Sequence, residues 1–372
     1  MKNISSLCII TDNYPRKDNP AYAFVGELVK AISKRGIKCT VICGGAKNKD
    51  IIWTDYDANG NEIEVFQAFI PSFGLKRIGS NALTYYYRDW KFKKLFNQSK
   101  CKPDALYAHF WHAGMAAAKI AEKKELPLFI AAGESRICVQ DLYRKDIVDH
   151  YKTFVRGMVS VSSENQDDSV NLGLINRENT IVVPNAIDNK LFCKLDKAEC
   201  RKKLSIDASD FVIAFVGAFV DRKGPLRVAE AVKKVPGVKS VYIGKGDQQP
   251  NGDGILFCGQ LPHDEIPVYL NAADVFVLPT KQEGCCNAIV EAMACGLPII
   301  STDRRFNDDI LNEKNSIRVD CEDIDQIAEA IRKIKESTEL RESMSEESLK
   351  IAADLTIDKR AEKIIDFMEK SI

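Results

Sequence analysis

Short apolar strands alternate with longer helical segments along almost the whole chain. β-branched runs at residues 6–10 and 211–216, for example, are followed by segments of helical period at 23–35 and 225–235. Strands that are apolar on both faces and separated by helices predict parallel, doubly wound sheets. Such sheets bind ligands beyond the carboxyl ends of their strands, so we expect the ligand contacts in the segments that directly follow predicted strands.

The number of predicted strands is too large for one sheet. A chain of 372 residues is also long enough for about two domains, each with its own core. Residues 184–188 and the charged stretch that follows them form the natural boundary. We therefore predict an α/β protein with two Rossmann-like domains that face a cleft, at 1–188 and 189–356, and a C-terminal helix at 357–372 that packs back on the first domain.

Composition excludes several classes of protein. The chain has 45% hydrophobic residues, and its 53 Lys and Arg balance its 53 Asp and Glu, which excludes a disordered chain and argues against a nucleic-acid partner. No apolar run approaches the roughly 18 residues of a membrane span, and the N-terminus is typical of a first strand rather than a signal peptide. The twelve cysteines form no CxxC pair and suggest free thiols in a reducing compartment. We expect a cytoplasmic protein.

The most informative segment runs from Glu283 to Glu291. A predicted strand ends at Pro279 and a helix follows Asn287, which is a favourable N-cap residue. The free amides of such a loop and of a helix N-terminus suit a phosphate group. Eight residues rotate a helix by about 80° beyond two full turns, so Glu283 belongs in the loop and Glu291 one turn into the helix. For the two carboxylates alone, a surface loop with two solvated glutamates remains open.

The complete segment resembles the retaining glycosyltransferases of family 4, which have the GT-B fold. Their E-x7-E signature matches Glu283 and Glu291, and E-A-x-A-x-G-x-P continues through Gly296 and Pro298. Further blocks of the family match in order at residues 34–41, 108–111, 182–188 and 215–224. The resemblance covers roughly residues 4 to 305.

This resemblance implies that a sugar is transferred from a nucleoside-diphosphate sugar to a glycan or lipid-linked glycan, with retained anomeric configuration, no obligatory metal and no cofactor. The implied catalytic residues are Glu283, Lys223, Arg222 and His109. The implied donor-binding residues are Gly217, Gly244, Gly259, Gln260, Leu261, Glu283, Gly284, Cys285, Cys286, Asn287, Ala288 and Glu291. The resemblance also implies that residues 189–356 bind the donor and that residues 1–188 form the acceptor side, with Asn19, Pro20, Glu134 and Ser135 as its site residues. Without a metal, Lys, Arg and helix amides must meet the diphosphate charge.

Three positions depart from the family pattern. The first phosphate-binding arginine is Ala218, and Arg222 either compensates for it beside Lys223 or points to solvent. The His-Gly pair after the fifth strand is Gly133-Glu134, which leaves the role of that histidine open. The glycine-rich acceptor loop is replaced by residues 19–24.

Other sequence features are each compatible with a functional and a purely structural interpretation. Gly244-Lys-Gly246 is either a tight turn or an incomplete dinucleotide fingerprint, His109 either a cleft residue or a structural histidine, and Asp55-Tyr-Asp57 a hairpin loop rather than a metal site. Residues 76–102 combine eight cations with interleaved aromatics, which suits either an anionic membrane surface or an ordinary packed helix. A non-catalytic nucleotide-sugar-binding protein and another GT-B enzyme, such as an epimerase or phosphorylase, are the alternative functions.

Overall fold

The computed structural model describes residues 3–19, 21–72, 77–78 and 81–372. The chain divides into two compact units. The first comprises Met1–Pro184 and Ile357–Ile372, and the second comprises Asn185–Thr356. The chain therefore leaves the first unit after Pro184 and returns to it at the C-terminal helix. Each unit is built around its own mainly parallel sheet.

The first unit contains a mixed sheet with a single antiparallel edge among its described residues. Its strands are β1 (Ser6–Thr11), β2 (Lys38–Ala46), β3 (Ile51–Tyr56), β4 (Glu62–Phe69), β5 (Arg77–Ile78), β6 (Asn81–Ala82), β7 (Ala105–His109), β8 (Leu128–Ala132), β9 (Val155–Ser160) and β10 (Thr180–Val182). The main sheet has the order β10-β9-β8-β7-β1-β2-β4-β3, and β5 pairs only with β6. Within the main sheet, all pairs are parallel except β3 with β4, and the doubly wound prediction left out the antiparallel edge strand β3.

The β3–β4 hairpin explains the acidic pair predicted in a hairpin loop. Asp57 lies in the turn, where its Oδ1 accepts hydrogen bonds from the backbone N–H groups of Asn59 and Asn61. Asp55, in contrast, lies on β3 and accepts a hydrogen bond from the hydroxyl of Tyr14 at 3.1 Å. Asp57 therefore has a structural task that follows from the strong turn preference of Asp and Asn.

Helices cover both faces of the first sheet. They are α1 (Ala23–Lys34), α2 (Leu83–Ser99), α3 (Trp111–Lys124), α4 (Val139–Leu142), α5 (Lys145–Tyr151) and α6 (Ser163–Asn171), with 3₁₀ turns at Lys152–Phe154 and Arg177–Asn179. Helix α3 lies close to the sheet because its inner face carries small residues. A Cβ atom added to Gly114 would lie 2.4 Å from Cδ1 of Ile130 on β8. The absence of a side chain at Gly114 thus lets α3 pack closely against β8.

The second unit has a wholly parallel sheet with the order β13-β12-β11-β14-β15-β16. Its strands are β11 (Phe211–Val216), β12 (Val238–Ile243), β13 (Ile255–Gly259), β14 (Val275–Leu278), β15 (Ile299–Thr302) and β16 (Ser316–Val319). Its helices are α7 (Lys197–Leu204), α8 (Pro225–Lys233), α9 (Ile266–Ala272), α10 (Asn287–Ala294), α11 (Ile324–Glu336) and α12 (Thr338–Ala352), with a 3₁₀ turn at Arg305–Asn307. The strand order reverses between β11 and β14, which is where open α/β sheets bind ligands.

The final helix, α13 (Ile357–Ser371), belongs to the first unit. Its buried residues Ile364, Ile365 and Met368 join the core that α1 forms on one face of the first sheet. Arg360 on the same helix donates from Nη1 to the carbonyl of Val183 at 2.6 Å. Apolar burial and this hydrogen bond together hold the C-terminal helix on the first unit.

Candidate functional site

The loops after β11 and β14 meet at the strand-order reversal of the second unit. Lys281 donates its backbone N–H to the carbonyl of Arg222 at 2.8 Å, and Thr280 Oγ1 lies 3.2 Å from the same carbonyl oxygen. These bonds tie the chain after β14 to the chain after β11. Arg222, Lys223 and Glu283 are thereby brought to one place from opposite sides of the reversal.

Glu283 is the centre of this site. Lys223 Nζ lies 2.6 Å from Glu283 Oε1, Arg222 Nη1 forms an ion pair with the same oxygen, and Thr280 Oγ1 donates to it at 3.0 Å. Only 12% of the Lys223 side chain and 13% of the Glu283 side chain are exposed, against 42% for Arg222. Burial lowers the pKa of Lys223, but Cys286 and Glu283 outweigh burial and raise it above its usual range. The site therefore holds two cations around one carboxylate.

Glycines allow the loops at this edge to approach each other. A Cβ atom on Gly244 would lie 1.9 Å from the carbonyl oxygen of Gly217, and one on Gly246 would lie 2.3 Å from that of Phe219. Gly244 also donates its N–H to Gly259 at 2.8 Å. Close backbone packing thus accounts for Gly244-Lys-Gly246 without a ligand, as the tight-turn reading predicts. Gln260 and Leu261 follow Gly259 at the same edge, and Gln260 is exposed.

Helix α10 begins at Asn287, and the prediction that Asn287 is its N-cap is wrong by one residue. The N-cap is Cys286, which is buried and makes no side-chain capping bond, and Gly284 and Cys285 before it are also buried. The Asn287 side chain is used elsewhere, because its Oδ1 accepts from Asn185 Nδ2 at 2.7 Å. Asn185 also donates to the carbonyl of Cys285 at 2.9 Å. Asn185 therefore braces the loop that carries Glu283, while Ala288 is the second helical residue.

Glu291 lies one turn into α10, as predicted, and has a partner that sequence reasoning missed. Its Oε1 is 3.2 Å from His263 Nε2, and the ring of Phe192 packs 5.0 Å from that of His263. Glu291 is buried, whereas about half of the His263 side chain is exposed. His263 lies four residues after the end of β13, and this position after a strand is the sequence signal that could have identified it as a site residue.

His109 lies inside the first unit. It is the last residue of β7, is 3% exposed, and neither ring nitrogen has a hydrogen-bond partner among the described residues. Burial, assisted by Arg360, lowers its pKa to about 3. The rings of Tyr107 and Phe24 lie 5.0 and 6.3 Å away. Of the two readings left open, this burial favours a structural histidine over a cleft residue, and the catalytic role of His109 stays a prediction.

Glu134 acts as a cap for α3. Its Oε1 accepts from the N–H of Trp111 at 2.6 Å and its Oε2 from the N–H of Gly133 at 3.0 Å. Burial raises the pKa of Glu134 above its usual range. The neighbouring Ser135 is exposed. Asn19 accepts from the N–H of Ala21 at 3.2 Å through Oδ1, and Pro20 lies outside the described residues.

The basic, aromatic segment at 76–102 contains α2, and residues 76, 79 and 80 lie outside the described residues. One side of α2 packs into the core through Phe92, Leu95 and Phe96. The other side carries Trp90, which is 55% exposed, and Lys94, whose Nζ lies 5.6 Å from the Trp90 ring. A packed face with an exposed cation beside it is what the ordinary packed helix predicts, and membrane binding through this segment stays a prediction.

Among the residues that the structure describes, no group of three or more His, Cys, Asp or Glu side chains is arranged to hold a metal ion. Of the helices described, none has the length and apolarity that a membrane crossing requires.

The chain is similar in sequence to known glycosyltransferases. Residues 196–350 match the family model of glycosyl transferases group 1. The putative teichuronic acid biosynthesis glycosyltransferase TuaC of Bacillus subtilis is 28% identical over 247 residues, which cover 64% of this chain and 63% of that protein. The UDP-Gal:alpha-D-GlcNAc-diphosphoundecaprenol alpha-1,3-galactosyltransferase of Escherichia coli is 30% identical over 205 residues, 50% of this chain and 52% of that protein. The chain thus spans between half and two thirds of the length of these relatives.

Solved structures match nearly the whole chain. Sucrose-phosphate synthase from Thermosynechococcus elongatus has a TM-score of 0.77 at 16% identity and covers 98% of both chains. HepE from Anabaena, solved in complex with UDP and glucose, has a TM-score of 0.71 at 16% identity and covers 98% of this chain and 100% of that one. At such identities the likeness concerns the fold. The chain therefore has the GT-B fold, and its second unit carries a segment of the glycosyl transferase group 1 type.

Proposed function

We propose that this protein transfers a sugar from a nucleoside-diphosphate sugar to a glycan or lipid-linked glycan, with retention of the anomeric configuration and no need for a metal. The observation that carries this proposal is the convergence of Lys223, Arg222 and Thr280 on Glu283 at the strand-order reversal of the second unit. Fixed cations at that position suit a leaving diphosphate, whose negative charge grows as the glycosidic bond breaks.

Each charged group then has a separate task. Lys223 and Arg222 would meet the diphosphate, and Arg222 would supply the guanidinium that Ala218 lacks. Glu283 would hydrogen-bond the transferred sugar, and Glu291, fixed by His263, would bind the ribose hydroxyls. A guanidinium can bind two phosphate oxygens at once, whereas lysine is a point charge, so the two cations are not equivalent.

The relatives narrow the class of substrate. One is named for teichuronic acid biosynthesis and another for transfer to a diphosphoundecaprenol-linked sugar, and HepE binds UDP and glucose. We infer a uridine nucleotide donor and a cell-surface polysaccharide or its lipid-linked precursor as acceptor. Such an acceptor fits work at the cytoplasmic face of a membrane, to which the exposed Trp90 and Lys94 of α2 would bind.

One observation supports a second candidate, a nucleotide-sugar-binding protein without transferase activity. Glu134 occupies the start of α3, where the resembling family has His-Gly, and its carboxylate is engaged by two backbone amides. Its side chain is therefore not available for the role of that histidine. A binding protein would retain the donor site of the second unit and lack turnover.

The test incubates the full chain with UDP-glucose, UDP-galactose and UDP-N-acetylglucosamine, each with N-acetylglucosaminyl-diphosphoundecaprenol as acceptor and with EDTA present. We expect UDP release that depends on the acceptor, and an NMR spectrum of the product that shows the donor's anomeric configuration. Product with inverted configuration would refute retention, and product formed only without EDTA would refute metal independence. Tight UDP binding without any turnover would establish the binding protein instead.

A further inference from the structure

Two cysteines from distant parts of the chain lie against each other in the first unit. Cys8 is on β1 and is fully buried, whereas Cys101 lies between α2 and β7 and is half-buried. Cys8 belongs to the core cluster that includes Phe96 of α2, and Cys101 packs against the same cluster. The Cys8 thiol is hydrogen-bonded to the Cys101 sulfur. The fold thus brings two thiols together on one face of the sheet.

The segment before β7 is fixed to the start of β1. Asp104 donates its N–H to the carbonyl of Ser6 at 2.8 Å. Its Oδ2 accepts from the N–H groups of Ser5 and Ser6 at 2.9 and 3.0 Å. Cys101 lies three residues before Asp104, so these bonds hold it beside β1. The contact between the two sulfurs is therefore a consequence of how β1 and β7 pair.

The surroundings of Cys101 favour its thiolate. The hydrogen bond from Cys8 and the hydroxyl of Ser99, whose Oγ lies 3.0 Å from Cys101 Sγ, outweigh burial and lower the pKa of Cys101 to about 7. The same hydrogen bond, together with burial, raises the pKa of Cys8 well above its usual range. The thiolate rather than the thiol is the nucleophile. Cys101 is therefore the reactive member of the pair, and Cys8 keeps its proton.

Exposure alone does not distinguish Cys101 from the other thiols. Cys258 on β13 is also half-buried, but its Sγ lies 3.5 Å from the carbonyl oxygen of Pro250. Burial raises the pKa of Cys258, so this thiol stays protonated near neutral pH. What distinguishes Cys101 is the combination of a solvent-accessible sulfur and a second thiol in contact with it. A thiolate next to another thiol is the arrangement in which oxidation ends in a disulfide.

We propose that Cys8 and Cys101 form a reversible disulfide when a small hydroperoxide reaches Cys101. The Cys101 thiolate attacks a peroxide oxygen, the O–O bond breaks, and Cys101 becomes a sulfenic acid while hydroxide leaves. The Cys8 sulfur then attacks the Cys101 sulfur, and its proton passes to the departing hydroxyl, which leaves as water. The sulfurs lose two electrons in total, and the peroxide gains them. Excess thiol restores both cysteines by exchange.

Peptide mapping of the full chain after treatment with near-stoichiometric hydrogen peroxide tests this inference. Trypsin releases Cys8 in peptide 3–16 and Cys101 in peptide 101–119, because it does not cleave between Lys102 and Pro103. Each peptide contains a single cysteine, so a joined pair identifies the bond. Free thiols are alkylated before digestion so that exchange cannot create the pair. We expect the joined pair after peroxide and its loss after dithiothreitol.

Variants assign the roles of the two sulfurs. Cys101→Ser should abolish the joined pair and leave Cys8 unoxidised. Cys8→Ala should leave oxidised Cys101 without a partner, so that dimedone traps its sulfenic acid. The matched control is Cys39→Ala, which removes a buried thiol of β2 that contacts the carbonyls of Val29 and Ile37, and it should form the pair as the wild type does. Thermal melts of all variants exclude loss of folding as the cause.

Alkylation rates provide a measurement that needs no variant. At pH 7, iodoacetamide should label Cys101 of the reduced wild type about tenfold faster than Cys258, or more. The joined pair in wild type and Cys39→Ala, but not in Cys101→Ser, supports the inference. Absence of the pair in the wild type, a disulfide of Cys101 with any other cysteine, or equal labelling of Cys258 would overturn it. Neither Cys8 nor Cys101 belongs to the donor site, so the inference does not depend on the proposed function.

Discussion

Replacing Glu283 with Gln should make the protein bind UDP more tightly while it destroys transfer. Lys223 and Arg222 already share the Glu283 carboxylate, with Lys223 Nζ 2.6 Å from Oε1 and the side chains of Lys223 and Glu283 largely buried. A diphosphate must compete with that carboxylate for both cations. Under the proposed function, Glu283 would therefore occupy both cations until the diphosphate of the donor displaces it.

The size of the effect follows from the bond that the donor replaces. A hydrogen bond to a charged group contributes about 1.5–3 kcal/mol, and Gln keeps the shape of Glu without its charge. Because diphosphate displaces only part of the Lys223 and Arg222 contacts, we expect the lower end of that range, or about tenfold tighter UDP binding. Turnover of the UDP-sugar should fall by about 10²-fold or more, because a key electrostatic contact in the transition state is lost.

Isothermal titration of UDP into the wild type and Glu283→Gln measures the first effect, and acceptor-dependent UDP release measures the second. The matched control is Glu291→Gln, because Glu291 contacts His263 rather than the two cations and its loss should weaken UDP binding. Weaker or unchanged UDP binding in Glu283→Gln would refute the idea that the Glu283 carboxylate competes with the diphosphate for Lys223 and Arg222. Full transfer activity in that variant would refute the assignment of Glu283 to the donor site.

Three further predictions concern other parts of the chain. Lys223→Ala and Arg222→Ala should each lower kcat/KM for the sugar nucleotide by about tenfold or more, and a normal Arg222→Ala enzyme would show that only the lysine serves the phosphates. The double variant Trp90→Ala/Lys94→Ala should bind anionic vesicles more weakly at low salt, by about 1 kcal/mol for the lost cation, whereas Arg222→Ala should bind them normally; wild type that ignores such vesicles would contradict the prediction. Because burial lowers the pKa of His109 to about 3 in the folded protein, the unfolded chain binds more protons below the ordinary pKa of about 6.5, and stability should fall with decreasing pH in that window by up to about 1.4 kcal/mol per pH unit. Urea titrations of His109→Leu should show a shallower pH dependence than wild type, and an equal slope would contradict the buried neutral state.

Much of the architecture can be read from the sequence, because periodicity and strand ends are local properties. Apolar β-branched runs and helical periods place the parallel strands of both sheets, and the spacing of Glu283 and Glu291 places one carboxylate in a loop and the other on α10. The same local reasoning misses β3, whose alternately exposed residues form an antiparallel edge rather than a buried strand. β3 alternates half-buried and exposed residues, so it lacks the continuous buried run that marks the parallel strands.

Side-chain partnerships, in contrast, depend on residues that are distant in sequence. Sequence alone leaves Arg222 free to point to solvent, but the chain after β14 brings Glu283 to it across about 60 residues. A hydrogen bond between Asp12 and His112 joins the ends of β1 and β7 across a separation of 100 residues, a juxtaposition created only by the strand order. His109 and His112 are three positions apart, yet one points into the core and the other binds a carboxylate. The sequence by itself determined which strand ends are followed by polar and charged side chains. The tertiary structure decided which of those side chains meet, because the order of strands in the sheet, and not their order in the chain, sets their neighbours.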